Sequence, residues 1–345
     1  MAIPPNNNRN SARDDGPGTW PSHPSSNNRS QAAEPEEDGL SDASSVLTQL
    51  GNDEFPRHFT EREGRLFHAH DGSPYPMPVD GGEQTRLDAL HHLLYERLDS
   101  HFAGPVGDVL AQEPGRHRRV LDLCTGTGRW VMDMASIFPN AKFSGIDIGA
   151  IRITCAYRLH TYLFTNSDGT MDFVHARNVS LAVPHYPPML REATRVLRRG
   201  GLFFSGEILR QVTFDPECFQ GVPALDAPRA DNFYRLINRT LALRGLNNYT
   251  DRIAEFVHAS GQFGAIRRQN YVIPIGEWSS SPSDRRLGVR CRDILAVFAR
   301  NLAPMLKDAA HPDEFIGEII DGFVDDIGSV RGLVAVYQTV LARRC

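Results

Sequence analysis

Asp122, Gly126, Gly128 and Asp147 are the residues whose types and spacing point most directly to chemistry. They stand in Asp122-Leu123-Cys124-Thr125-Gly126-Thr127-Gly128 and, roughly 20 residues past the last glycine, in Gly145-Ile146-Asp147-Ile148. Two glycines let a ligand approach the backbone at a helix N-terminus, where free amides and the helix dipole favour a nucleotide-like group. A carboxylate ending the next strand accepts hydrogen bonds from ribose hydroxyls. The pattern predicts a nucleotide-like ligand at the carboxyl edge of a sheet; a plain structural turn is the bland alternative.

Two ligand classes share that layout. The dinucleotide fingerprint needs a third glycine at position 131, which is Val131. Asp122 at the strand end would repel a pyrophosphate and suits a cationic amino group. S-adenosylmethionine carries such a group and NAD does not. The donor predicted here is therefore S-adenosylmethionine.

The elements around the loop follow from hydrophobic periodicity. Arg119 to Cys124 is a short apolar run suited to a buried strand. Trp130, Val131, Met134, Ile137 and Phe138 form one helical face, and Pro139-Asn140 stops that helix. Ala141–Ile148, Met171–Ala176 and Leu202–Ile208 read as further strands, with a helix marked by Leu190, Ala193 and Leu197 and closed by Gly200-Gly201. Strands alternating with helices predict a mostly parallel, Rossmann-like α/β sheet with helices on both faces. Upstream, the prolines of Tyr75-Pro76-Met77-Pro78 force an extended strap. Leu87, Leu90, Leu94 and Leu98 then predict a helix over 82–101, ended by Gly104-Pro105. Downstream, helices are expected at 233–243, 251–260, 288–301 and 312–327, and strands at 266–273 and 333–341.

Composition bounds the rest. The 345 residues carry a net charge of −5 with no basic stripe, which argues against a nucleic-acid or anionic-membrane binder. No apolar run approaches the roughly 18 residues a membrane span needs, and no apolar stretch opens the chain, which argues against secretion. The five cysteines are scattered with no CxxC pair, so neither a disulfide framework nor a zinc site is indicated. A cytoplasmic or nuclear setting is expected. Residues 1–45 are rich in Asn, Ser, Pro and acids and read as a disordered tail.

VLDLCTGTGRW, GIDI, MDFVHAR and LREATRVLRRGGLFF resemble the fungal LaeA-like, S-adenosylmethionine-dependent methyltransferases, as does the strap YPMPVDGGEQTRLDALHH. The likeness runs over roughly residues 57–343. It implies the class I methyltransferase fold, with strap and helix over 57–105, a cofactor-binding core over 117–208, and a helical lid and last strands over 209–343. It further implies that Asp122, Gly126 and Gly128 line the methionine end and Asp147 holds the ribose. Cys124, Thr125, Thr127 and Ile148 complete the expected donor set, and Arg177 and Tyr75 are further candidates for it. The family usually has glycine where Cys124 stands. It also has a longer segment after Asp147, which leaves Thr161–Thr165 as the candidate third strand and Asp168 as the one acidic candidate beside adenine.

Other residues read two ways. His175 is the candidate catalytic base, since a neutral imidazole takes a proton near pH 7, or else a hydrogen-bonded histidine that positions its loop. Glu207 contacts substrate or is a solvated strand end. His91 and His92 are read as structural, and no metal is expected. The resulting expectation is an S-adenosylmethionine-dependent methyltransferase acting on a small molecule in fungal secondary metabolism. The rival readings are a LaeA-like regulator with protein partners in a nuclear complex, and a donor-binding pseudoenzyme.

Overall fold

The computed structural model describes residues 58–70, 72–147 and 167–345. The expected tail at 1–45, Ile148 and the expected third strand at 161–165 lie outside the described residues. The strands are β1 (Phe59–Arg62), β2 (Arg65–His68), β3 (Arg118–Leu123), β4 (Ala141–Ile146), β5 (Met171–Arg177), β6 (Leu197–Ile208), β7 (Thr213–Phe214), β8 (Phe263–Pro274) and β9 (Leu333–Arg344). The helices are α1 (Gly81–Leu98), α2 (Val106–Val109), α3 (Arg129–Ile137), α4 (Tyr186–Val196), α5 (Pro223–Asp226), α6 (Pro228–Leu243), α7 (Ile253–Ala259), α8 (Pro282–Asn301), α9 (Ala303–Asp308) and α10 (Asp313–Ser329).

Alternation along the strands builds a sheet buried on both faces. Val120, Phe173, Leu202 and Phe204 enter one apolar layer, while Leu121, Leu123, Val174, Ala176 and Phe203 enter the other. The order is β4-β3-β5-β6-β9-β7, with β8 pairing β9. Strands β4, β3, β5 and β6 run parallel, and β9 returns antiparallel to β6 and β8. This is the class I methyltransferase architecture anticipated above. Because β3, β4 and β5 share one direction, Asp122, Asp147 and Arg177 come to the same edge. At the opposite edge Asp172 is fully buried and accepts from Arg116 at 2.9 Å, Arg118 at 3.2 Å and the Arg119 amide at 2.9 Å.

Several boundaries differ from expectation for local reasons. Helix α1 opens at an Asp80 cap, whose carboxylate accepts from the Glu83 amide at 3.1 Å. It ends at Leu98 because Asp99 turns left-handed (φ 51°), well before Gly104. Gly200-Gly201 does not close a helix; α4 ends at Val196 and β6 runs through both glycines. The β1–β2 hairpin was not anticipated. Arg62 pairs with Arg65 across Glu63-Gly64, both at positive φ, the two-residue turn that suits the twist of a hairpin. Near the C-terminus Phe233 of α6 stacks on Phe323 of α10 at 4.1 Å.

Candidate functional site

The glycine loop leaves β3 through a strained residue. Cys124 has φ 55°, a left-handed conformation that explains why glycine suits this position. Burial pushes its thiol well above the ordinary range, so it stays neutral. The Thr125 amide donates to the Ile146 carbonyl at 3.0 Å, and its hydroxyl to the Asp122 carbonyl at 3.1 Å. Gly126 (φ 59°) donates its amide to Asp147 Oδ2 at 2.7 Å, which joins the ends of β3 and β4. Gly128 (φ 76°) caps α3 and supplies no side chain to the helix amides. A Cβ on Gly126 would meet only Leu87 Cδ1, at 3.7 Å; the remaining space is cavity. Thr127 donates to Asp88 Oδ1 at 2.6 Å and ties the loop to α1.

Asp122, His175 and Phe204 stand in one row across β3, β5 and β6. His175 Nδ1 is 2.6 Å from Asp122 Oδ1. Its ring lies between Trp130 (3.6 Å, 5°) and Phe204 (4.9 Å, 14°). Burial pushes its pKa below the ordinary value despite the carboxylate beside it. A neutral imidazole then donates from Nδ1 and fixes the Asp122 carboxylate. His175 is thus committed to Asp122 and clamped between two rings.

A second chain of contacts crosses from β5 to α1. Arg177 Nη2 donates to His91 Nδ1 at 3.0 Å, and His91 Nε2 donates to Asp133 Oδ2 at 2.9 Å. Burial, reinforced by the Arg177 charge, pushes the His91 pKa down to about 3. Arg129 also donates to Asp133, at 3.2 Å. Burial pulls the Arg177 pKa below its ordinary value.

The strap and α1 roof the cavity. Tyr75, Pro78, Val79, Glu83, Leu87, Leu90 and His91 line it opposite the loop. Tyr75 is thereby placed at the cavity, and burial pushes its phenol up. The helices of residues 209–343, expected as a lid, contribute none of its lining residues. They pack instead on α1, α4, β8 and β9 and on one another.

Sequence reasoning missed Glu83 and Arg86. Glu83 accepts both guanidinium bonds of Arg86, at 2.6 and 2.8 Å, and a third from Asn301 at 2.7 Å. The available signal was a charged pair spaced i, i+3 on the same helix face as Leu90 and Leu94. Glu207 proves neither substrate-facing nor solvated. It is buried, accepts from the Val179 amide at 2.6 Å, and burial pushes its carboxyl up to about 7. Asp168 is not at the site. It precedes β5 and so lies at the amino edge of a parallel strand, paired with Arg195 at 2.6 Å. No helix among the described residues is long and apolar enough to cross a membrane.

The family described as Methyltransferase domain matches residues 95–256. Methyltransferase PytC of Aspergillus terreus is 26% identical over 256 residues, 72% of this chain and 74% of its own length. The secondary metabolism regulator LaeA of Aspergillus flavus is 27% identical over 241 residues, 66% of this chain and 61% of its own. Among solved structures, phosphoethanolamine N-methyltransferase 2 of Haemonchus contortus, in complex with S-adenosyl-L-methionine, is 14% identical with TM-score 0.42 over 81% of this chain and 61% of its own. The glycine loop, the doubly wound sheet and the matched domain make this chain an S-adenosylmethionine-dependent methyltransferase, similar to the fungal LaeA and PytC proteins.

Proposed function

We propose that the Asp122–Gly128 loop and Asp147 hold S-adenosylmethionine for methyl transfer to a small molecule of fungal secondary metabolism. The observation that carries this reading is the convergence of Asp122, Gly126 and Asp147 on one cavity at the carboxyl edge of β3 and β4. Asp122, held by His175, receives the donor's ammonium group, and Asp147 the ribose hydroxyls. Cys124, Thr125, Thr127 and Gly128 shape the loop, and Tyr75 closes over it. The donor supplies a sulfonium-bound methyl group; the chain's residues orient it and exclude water, so proximity supplies most of the rate. His175 acts as a positioning residue for Asp122. The roof formed by the strap and α1 favours a small acceptor over a protein side chain, and the similarity to LaeA supports secondary metabolism as the setting.

Calorimetry with S-adenosylhomocysteine and NAD tests the reading. S-adenosylhomocysteine is expected to bind and NAD not to. Gly126→Val is expected to abolish binding, since a β-branched side chain at φ 59° both strains the turn and fills the approach. Tight NAD binding without S-adenosylhomocysteine binding overturns it.

A further inference from the structure

Among the described residues Arg177 is a cation with no ion pair of its own. Among the described residues its guanidinium makes one hydrogen bond, to the neutral ring of His91. The nearest carboxylates are engaged elsewhere: Asp122 with His175, and Asp133 with His91 and Arg129. Yet Arg177 lines the cavity. A largely buried guanidinium costs free energy unless a partner compensates it, and its fork of donors matches a carboxylate.

Strand order decides which ligand would supply that partner. β4, which leads into Asp147, and β5, carrying Arg177, flank β3 on opposite sides. A donor with its ribose at Asp147 and its ammonium at Asp122 lies over β4 and β3. The β5 side is left for the acceptor. His91 holds Arg177 there, and its proton must sit on Nε2 because an arginine can only donate to Nδ1. That same proton points at Asp133, so the His91–His101–Asp133 cluster offers no free imidazole lone pair from His91 to a metal ion.

We propose that Arg177, oriented by His91, seats the carboxylate of an acidic acceptor, and that this enzyme is a carboxyl O-methyltransferase. The inference rests on the donor site proposed above. One carboxylate oxygen is held by the guanidinium. The other forms the O–CH3 bond as the donor's S–CH3 bond breaks, and that bond's electron pair remains on sulfur. A carboxylate and a sulfonium become a neutral ester and a neutral thioether. No proton moves, which agrees with a site whose buried histidine is already committed to Asp122. The ester no longer carries the charge that Arg177 recognises, which favours its release.

The test uses the full chain. S-adenosylhomocysteine is first titrated into wild type and Arg177→Gln. Acetate, benzoate and cinnamate, and the corresponding neutral amides, are then titrated into the S-adenosylhomocysteine-saturated proteins. Expected are S-adenosylhomocysteine affinities within about threefold of each other. At least one carboxylate should bind wild type about tenfold or more above its amide, and Arg177→Gln should lose that preference. If Arg177→Gln misfolds, salt carries the test in wild type: carboxylate binding should weaken between low and high ionic strength while amide binding does not. The proposal is overturned by carboxylates that fail to bind, by a preference that survives Arg177→Gln or ignores salt, or by a tenfold loss of S-adenosylhomocysteine affinity in Arg177→Gln, which would assign the seat to the donor's own carboxylate. Failure of S-adenosylhomocysteine to bind wild type would instead refute the donor site.

Discussion

Gly145→Ala should disturb the donor loop from the neighbouring strand. Gly145 pairs with Asp122 across β4 and β3. A Cβ there would lie 3.0 Å from Thr125 Cγ2 and 3.1 Å from Thr125 Cβ, and closer still to the hydroxyl. Thr125 cannot simply rotate away, because its hydroxyl donates to the Asp122 carbonyl and its amide to the Ile146 carbonyl. Overpacking of this kind costs about 1–3 kcal/mol. Loss of the hydroxyl bond adds about 1 kcal/mol. The expected total, about 2–4 kcal/mol, appears as lost stability or as weaker donor binding, depending on how far the loop yields. Thermal unfolding and S-adenosylhomocysteine calorimetry read the two parts. Thr125→Ala removes the hydroxyl and Cγ2 and leaves only the Cβ contact at 3.1 Å, so Gly145→Ala in that background should cost under about 1 kcal/mol, a coupling near 2 kcal/mol. A coupling within about 0.5 kcal/mol of zero would refute the steric account.

Glu207→Gln should flatten the pH dependence of stability. Burial raises the carboxyl from 4.5 to about 7, so its stabilising contribution is complete below pH 4.5 and is lost as pH rises through 7, about 3 kcal/mol in all. Melting temperatures of the two proteins between pH 4.5 and 8 should diverge; parallel curves would remove Glu207 as the cause. Cys124→Gly relieves a left-handed residue and should leave stability unchanged or raise it by up to about 1 kcal/mol, with donor affinity kept. A drop above about 2 kcal/mol in calorimetric unfolding would show that the thiol's packing dominates. Asp168→Ala should leave S-adenosylhomocysteine affinity within about twofold, because its partner Arg195 lies at the far edge of the sheet. A tenfold loss would return Asp168 to the site.

The conformation and placement of the glycine loop were legible in the sequence because they are local. Asp122, Gly126 and Gly128 sit within one strand–turn–helix unit, where period and turn residues fix both conformation and direction. Asp147 followed from the length of one α–β crossover. The parallel sheet was legible for the same reason, since continuous apolar runs between helical faces have few other ways to be buried. Contacts between distant segments were not. His175 reads as a base or a structural ring until the sheet register sets it 2.6 Å from Asp122 and stacks it on Trp130 and Phe204. Glu83 is passed over and His91 reads only as structural, because nothing local shows that the strap folds their helix over the loop. Asp168 looked close to the site in sequence, but a parallel strand carries its two ends to opposite edges of the sheet. Spacing along the chain determines which groups one element can present. Only the register between strands and the docking of α1 decide which of them meet, because hydrogen-bonded rows and buried charges are satisfied across the fold.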